Sequence, residues 1–125
     1  MIIAIVDDDR TVLKALARAL STSGYSPETF ASAKEFLDSA AVSRAACLVI
    51  DVDLGDMSGL ELAERLALAG SRVPVIFITG SGDAGFQSEA LRFGCVAYLY
   101  KPFSSALLID AIEQAVGRGA PSSES

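Results

Sequence analysis

The chain has 125 residues, which is enough for one domain with one hydrophobic core and too few for two. Its net charge of −6 argues against a domain that binds nucleic acid by itself, because such affinity depends largely on clustered Lys and Arg. The mean hydropathy is high at +0.43, yet no apolar run approaches the roughly 20 residues that a membrane span needs.

Strand-like and helix-like patterns alternate along the chain, starting at the N-terminus. The apolar run Ile2 to Val6 predicts a strand, and it has neither the basic start nor the cleavage site of a signal peptide. We therefore expect a cytoplasmic protein. Apolar residues at helical spacing from Val12 to Leu20 predict the first helix. The extended stretch Ser26 to Phe30 contains Pro27, which favours an edge strand.

Two capping boxes of the form Ser-x-x-Glu mark the next helices. The box that begins at Ser32 predicts a helix to about Ala40, and a loop over 41–46 then leads into an apolar strand at Cys47 to Asp51. The second box begins at Ser58 and opens a helix that Gly70 ends.

The last third of the chain predicts two further strand and helix pairs. Val73 to Thr79 is expected to be a strand, 80–85 a loop and 86–93 a short helix. Ala97 to Tyr100 is the fifth predicted strand. A helix from about Ser104 to Val116 follows, with an apolar stripe at helical spacing.

These elements predict an α/β fold of five βα units. The strands are nearly continuous apolar runs, which is typical of a parallel sheet with helices on both faces. Residues 1–117 are therefore predicted to form one domain. Residues 118–125 are rich in Gly, Pro and Ser, which predicts a disordered tail or the start of a linker.

Polar residues follow the apolar runs where the predicted strands end. Asp7 to Asp9 follow the first strand, Asp51 and Thr79 end the third and fourth strands, and Lys101 follows the fifth. The carboxyl ends of parallel strands meet at one edge of a sheet, which is where open α/β sheets bind ligands. An acidic cluster that faces a hydroxyl and a lysine predicts a site for a cation and a phosphoryl group.

The acidic cluster needs a compensating positive charge. Two carboxylates about 4 Å apart repel by roughly 4 kcal/mol at an effective dielectric near 20. Mg²⁺ fits such a site because it prefers oxygen ligands and typically takes only one or two carboxylates. Asp51 stands alone at the end of the middle strand, which makes it the best candidate for a carboxylate nucleophile. Lys101 and Thr79 would supply charge and a hydroxyl donor to the phosphoryl oxygens.

Four segments resemble, in order, the motifs of the receiver domain of two-component response regulators, a CheY-like family. They are Ile-Val-Asp-Asp-Asp at 5–9, Val-Ile-Asp-Val-Asp-Leu-Gly-Asp-Met-Ser-Gly at 49–59, Phe-Ile-Thr-Gly at 77–80 and Tyr-Leu-Tyr-Lys-Pro-Phe at 98–103. The resemblance implies a flavodoxin-like fold with strand order 2-1-3-4-5. Two of the motifs, Asp-Met-Ser-Gly and Ile-Thr-Gly, are similar to those of receivers that precede helix-turn-helix transcription domains.

The resemblance also implies the chemistry of the site. Asp51 would accept a phosphoryl group from a histidine kinase or a histidine phosphotransfer protein, and Mg²⁺, or alternatively Mn²⁺, would be the cofactor. Asp8, Asp51 and the backbone carbonyl of Asp53 would bind the ion, and Asp7 would act through a metal-bound water.

The resemblance further implies a switch. Thr79 and Lys101 would bind the phosphoryl oxygens, and Tyr98 would turn inward as Thr79 moves. This would change the surface of the fourth helix, the fifth strand and the last helix, with phosphorylation-dependent dimerisation as a consequence. The protein would mainly be a signalling switch that catalyses its own phosphoryl transfer and dephosphorylation, without binding nucleic acid or a membrane.

Two positions depart from the family pattern, and several alternatives stay open. The family usually has proline where this chain has Gly55, so we expect a looser loop after Asp51. It commonly has an uncharged or basic residue where this chain has Asp53, and we expect this added negative charge to give an unusual phosphate lifetime. Asp51-x-Asp53 also resembles the nucleophile motif of haloacid-dehalogenase-type phosphatases. A scaffold that works without phosphorylation is a further alternative. Asp9 could simply cap the first helix, and Tyr98 could be a packed aromatic residue.

Overall fold

The structure, a computed structural model, describes residues 1–80, 95–101 and 103–117. A single parallel sheet in the order β2-β1-β3-β4-β5 forms its centre. The strands are β1 (Ile2–Val6), β2 (Ser26–Phe30), β3 (Cys47–Asp51), β4 (Val75–Thr79) and β5 (Cys95–Tyr100). This confirms the predicted α/β fold and its strand order, and it confirms that the strand with Pro27 lies at an edge.

The helices begin where the sequence supplies a capping side chain. They are α1 (Arg10–Thr22), α2 (Ala33–Leu37), α3 (Ala41–Arg44), α4 (Gly59–Leu68) and α5 (Ser105–Val116). Ser32 and Ser58 accept hydrogen bonds from the N–H groups three residues on, as the two capping boxes predict, and Ser104 does the same for α5. Asp9 caps α1, so the capping interpretation of that residue is confirmed.

Three boundaries differ from the prediction. The second helix ends at Leu37, and α3 occupies part of the predicted loop 41–46. The hydroxyl of Ser39 donates to the Phe36 carbonyl and accepts from the Ala41 N–H, which ends one helix and begins the next turn. β4 begins at Val75 because Pro74 has no N–H to donate. β5 begins two residues earlier than predicted, at Cys95, with a register shift opposite Val75 and Ile76.

Side chains alternate between the two faces of the sheet, and each face carries its own core. One core contains Val6, Ile50 and Phe77 from the sheet together with residues of α2 and α4. The other contains neighbouring strand residues together with residues of α1 and α5. Helices therefore cover both faces, which explains why β1, β3 and β4 read as continuous apolar runs.

Two expectations concern residues that the structure does not describe. All but Gly80 of the predicted loop 80–85, the predicted helix 86–93 and the predicted tail 118–125 lie outside the described residues. Among the helices that are described, none combines the length and apolar content that crossing a membrane requires.

Candidate functional site

The register of the central strands brings two of the predicted carboxylates side by side. Val6 is opposite Ile50 in the parallel pair β1 and β3, so the next residues, Asp7 and Asp51, lie beside each other at the carboxyl edge. Carboxylate oxygens of Asp7, Asp8 and Asp51 lie within 4.8 Å of one another. The side chain of Asp7 is fully buried, Asp51 is nearly so and Asp8 is exposed. The acidic cluster is therefore open to solvent on the side of Asp8.

The Lys101 ammonium group lies between the two buried carboxylates. Its Nζ donates to Asp51 Oδ2 at 2.8 Å and to Asp7 Oδ2 at 3.1 Å. The backbone N–H of Lys101 donates to the Thr79 carbonyl at 2.7 Å. This hydrogen bond holds the backbone of Lys101, just after β5, beside the last residue of β4. Two buried carboxylates thus share one ammonium group, and with Asp8 beside them the cluster keeps a net negative charge.

Backbone amides orient the remaining oxygen of each buried carboxylate. The Asp9 N–H donates to Asp7 Oδ1 at 2.8 Å, and the Asp53 N–H donates to Asp51 Oδ1, also at 2.8 Å. In each carboxylate, one oxygen therefore accepts from the backbone N–H two residues later in the chain, and the other oxygen accepts from Lys101 Nζ. This fixes the direction in which Asp51 Oδ2 can react or bind.

The pKa values of two groups reflect this arrangement. Burial raises the pKa of Asp7, and the neighbouring Asp51 charge adds to that effect, while hydrogen bonds from Asp9 and Lys101 oppose it. Burial alone would lower the pKa of Lys101, but the hydrogen bonds and charges of Asp51 and Asp7 outweigh it, so the pKa is raised. Lys101 therefore stays charged at neutral pH, whereas burial disfavours the ionised form of Asp7.

Thr79 and Tyr98 lie on the same face of the sheet. Phe77 is opposite Tyr98 and Thr79 is opposite Tyr100 in the pair β4 and β5, so alternate residues put all four side chains on one face. Thr79 is fully buried at the end of β4. The Tyr98 ring is partly buried, with its centroid 6.2 Å from that of Phe77 and 5.4 Å from that of Tyr100. A movement of Thr79 would thus change the packing on the face of the sheet where Tyr98 lies.

The fold and the sequence of this chain match a known protein family. The family profile described as the response regulator receiver domain matches residues 3–113. The chain is a response regulator receiver domain. This confirms the predicted family, the receiver domains of two-component response regulators.

Relatives of this receiver domain include transcriptional regulators. It is 39% identical over 115 residues to the response regulator protein TodT of Pseudomonas putida, covering 92% of this chain and 51% of TodT. It is 40% identical over 111 residues to the transcriptional regulatory protein FixJ of Rhizobium meliloti, covering 89% of this chain and 54% of FixJ. The chain thus spans about half the length of these curated relatives.

Solved structures agree with the fold. The crystal structure of FixJ-N has a TM-score of 0.83 and 36% identity, with 96% of each chain covered. A CheY-like receiver domain protein from Methanospirillum hungatei JF-1 has a TM-score of 0.84 and 29% identity, with 94% of each chain covered.

The acidic pocket of this receiver domain has the chemistry of a metal site. Three carboxylates that converge within 4.8 Å offer only oxygen atoms, which are the ligands that hard divalent cations prefer. The three carboxylates carry more negative charge than the Lys101 ammonium group can neutralise, which favours the binding of an additional cation. The pocket can therefore hold a metal ion.

Two residues near the site were not recognised from the sequence. Gly59, the first residue of α4, lies so close to β3 that an added Cβ would be 2.5 Å from the Asp51 carbonyl oxygen. Asp56 accepts hydrogen bonds from Ala33 and Lys34 at the start of α2. The sequence signal for Gly59 was its place in the Asp-Met-Ser-Gly motif, whereas Asp56 carries no local signal because its partners lie 22 and 23 residues away.

Proposed function

We propose that Asp51 of this receiver domain accepts a phosphoryl group, with Mg²⁺ as the physiological cofactor and Mn²⁺ as a substitute. The observation that carries the proposal is the position of Asp51 Oδ2, which lies 2.8 Å from the Lys101 ammonium group beside the acidic cluster. The oxygen has a positive group at hand and belongs to a carboxylate of fixed orientation. These are the positioning and charge that phosphoryl transfer requires.

The residues around Asp51 would divide the remaining work. Asp8, Asp51 and the Asp53 carbonyl would bind the ion, and Asp7 would bind it through a water molecule. When bound, Mg²⁺ would neutralise the charge that the cluster and the incoming phosphoryl group share. Lys101 would pass from the Asp51 carboxylate to a phosphoryl oxygen, and the Thr79 hydroxyl would donate to another.

The phosphoryl donor would be a phosphohistidine on a histidine kinase or a histidine phosphotransfer protein. None of the 125 residues is histidine, so the donor lies outside this sequence. A carboxylate oxygen of Asp51 would attack phosphorus as the bond from phosphorus to the histidine nitrogen breaks. The imidazole leaves with the bonding electron pair and takes up a proton. The same groups would assist water in the later hydrolysis of the aspartyl phosphate.

The phosphoryl group would act on the partner surface through Thr79 and Tyr98. It adds a charge of about −1.5 to −2 and new acceptor oxygens, which draw Thr79 and Lys101 towards it. Moving a two-state surface from about 1% to 99% active needs roughly 5.5 kcal/mol of differential stabilisation. A few charge-assisted hydrogen bonds at about 1.5 to 3 kcal/mol each would supply this energy.

The surface that would change includes β5 and α5 and the predicted helix 86–93. Val96, Tyr100 and Leu107 are large apolar side chains exposed on β5 and α5. We expect this surface to form a homodimer after phosphorylation, and light scattering would detect the change in mass. The net charge of −6 supports our expectation that the domain itself binds no nucleic acid. A helix-turn-helix output in the whole protein and a cytoplasmic location are further proposals.

Intact-mass measurement after incubation with acetyl phosphate tests the proposed chemistry. We expect one phosphoryl adduct on the wild-type chain with Mg²⁺, and none with EDTA or in Asp51→Asn. Asp38→Asn is the matched control, because Asp38 is an exposed carboxylate that pairs with Lys34 of α2, away from the acidic cluster. An unchanged adduct in Asp51→Asn would contradict the assignment. No adduct and no phosphate release by folded protein would favour a scaffold, and turnover of a phosphate ester would favour a phosphatase.

A further inference from the structure

Asp56 connects the loop after the phosphoacceptor strand to the first turn of α2. Its Oδ1 accepts from the Ala33 N–H at 3.2 Å and its Oδ2 from the Lys34 N–H at 3.0 Å. Ser32, the residue before the helix, accepts from the Glu35 N–H at 3.1 Å. The donors of this helix end are therefore shared between a local serine and a carboxylate from another part of the fold.

The charge of Asp56 suits this contact. Burial alone would raise the pKa of Asp56, but hydrogen bonds from the Lys34 and Ala33 N–H groups, with smaller contributions from its own loop, lower the pKa instead. The carboxylate is therefore ionised throughout the neutral range.

The loop that Asp56 holds is the one that carries the Asp53 carbonyl. Its two ends are joined, because the Gly59 N–H donates to the Val52 carbonyl at 2.7 Å and Asp53 pairs with Ser58 in an antiparallel bridge. These contacts fix where the loop leaves β3 and enters α4. In the middle of the loop, Leu54 and Met57 pack against the core that contains α2. Among the described residues, the hydrogen bonds from this part of the loop to another element are those that the Asp56 carboxylate accepts from α2.

Gly55, next to Asp56, gives the middle of the loop no stiffness of its own. Glycine has more backbone freedom than any other residue, and proline has the least. Gly55 is not among the glycines with positive φ, and an added Cβ would meet only Asp8 Oδ2, at an ordinary 3.9 Å. The position therefore has room for a Cβ and does not need the positive φ that favours glycine, and the loop contains a flexible residue beside Asp56.

We propose that Asp56 is a positioning residue, which holds loop 52–58 against α2 and thereby presents the Asp53 carbonyl to the ion site. In this role Asp56 supplies the restraint that Gly55 lacks. The inference deepens the proposed function and rests on it for the part that concerns the ion. The restraint on the loop stands independently, because it follows from contacts present without an ion.

The two parts are tested by two measurements on the full chain. Hydrogen exchange of the 52–58 amides, measured in EDTA, reports the restraint on the loop. Calorimetric titration with Mg²⁺ reports the effect on ion affinity. We expect Asp56→Ala to speed exchange of these amides about tenfold and to weaken Mg²⁺ binding by about three- to tenfold, somewhat less than the typical loss when a group that directly orients a metal ligand is removed. Asp56→Asn, which keeps an acceptor oxygen, should fall between the wild type and Asp56→Ala.

Ser32→Ala is the matched control. It removes the other cap of the same helix, whose hydrogen bond is to the Glu35 N–H and not to the loop. It should therefore destabilise α2 without changing loop exchange or Mg²⁺ affinity by more than about twofold. A loss of affinity in Ser32→Ala equal to that in Asp56→Ala would show that α2 stability, and not the contact to the loop, is what matters.

Gly55→Pro provides the rescue. If restraint is the role of Asp56, adding Gly55→Pro to Asp56→Ala should restore slow loop exchange and most of the Mg²⁺ affinity. Wild-type loop exchange in folded Asp56→Ala would overturn the proposal. A wild-type protein that binds no Mg²⁺ would instead overturn the proposed function, while the exchange measurements would still decide the restraint.

Discussion

Replacing Lys101 with methionine should destabilise the ion-free protein, because it removes the only ammonium group that the structure shows between Asp7 and Asp51. The Nζ–oxygen distances of 2.8 and 3.1 Å correspond to gross attractions of about 6 and 5 kcal/mol at an effective dielectric near 20. Desolvation offsets most of this attraction. Breaking a buried pair typically costs about 3–5 kcal/mol. The Lys101 side chain is 26% exposed, so we expect a smaller loss of about 2–3 kcal/mol.

Urea unfolding in EDTA measures this loss. For a domain of this size, about 2–3 kcal/mol should lower the urea midpoint by roughly 1–2 M. Saturating Mg²⁺ should stabilise Lys101→Met more than the wild type. Without the lysine, Asp7 and Asp51 repel each other more strongly, so an ion that reduces this repulsion has a larger effect on the variant. The two effects together distinguish a lost counter-charge from a packing defect, which Mg²⁺ would not repair.

Lys34→Met is the matched control for Lys101→Met. Lys34 also pairs with an aspartate at 3.1 Å, but the two side chains are 79% and 67% exposed, so its removal should change stability by less than about 0.5 kcal/mol. Lys101→Met with the wild-type urea midpoint in EDTA would refute the view that Lys101 compensates the buried carboxylates.

Three further predictions follow from the site geometry. In EDTA, Asp7→Asn should raise the free energy of unfolding at neutral pH, because the raised pKa of Asp7 means that folding disfavours its charge; the gain should shrink as pH falls through that pKa towards 3.8, and urea titrations at several pH values would measure it. Equal or lower stability of Asp7→Asn at neutral pH would contradict this. The raised pKa of Lys101 predicts stability that is present below 10.5 and lost as pH rises through the higher folded value, a loss that Lys101→Met should lack. Gly59→Ala should cost about 2–3 kcal/mol, because the added Cβ would lie 2.5 Å from the Asp51 carbonyl oxygen, whereas Gly80→Ala meets nothing within 4 Å and should be near neutral in the same urea assay; equal effects of the two substitutions would contradict the close approach.

The sequence predicted those features that depend on local signals. Apolar runs located the strands to within two residues, because a strand buried on both faces needs an uninterrupted apolar segment. Ser32 and Ser58 marked the starts of α2 and α4, because a cap acts within one turn of its helix. Since all the strands are parallel, the polar residues at their ends had to gather at one edge.

Features that depend on how separate segments pack were not predicted. The capping of α2 by Asp56 joins residues 22 and 23 positions apart, and no local pattern encodes that distance. The contact of Gly59 with β3 depends on the entry angle of α4. From the sequence, a divalent cation is the expected compensation for the carboxylate repulsion, whereas in the structure Lys101 provides part of that compensation.

The position of the phosphoryl group on the chain is the most direct test of the proposed chemistry. Borohydride reduces an aspartyl phosphate to homoserine, so tandem mass spectrometry of the reduced and digested protein identifies the acceptor residue. After incubation with acetyl phosphate and Mg²⁺, we predict homoserine at position 51 only. Homoserine at Asp8, Asp53 or Asp56, with Asp51 unchanged, would contradict the central claim.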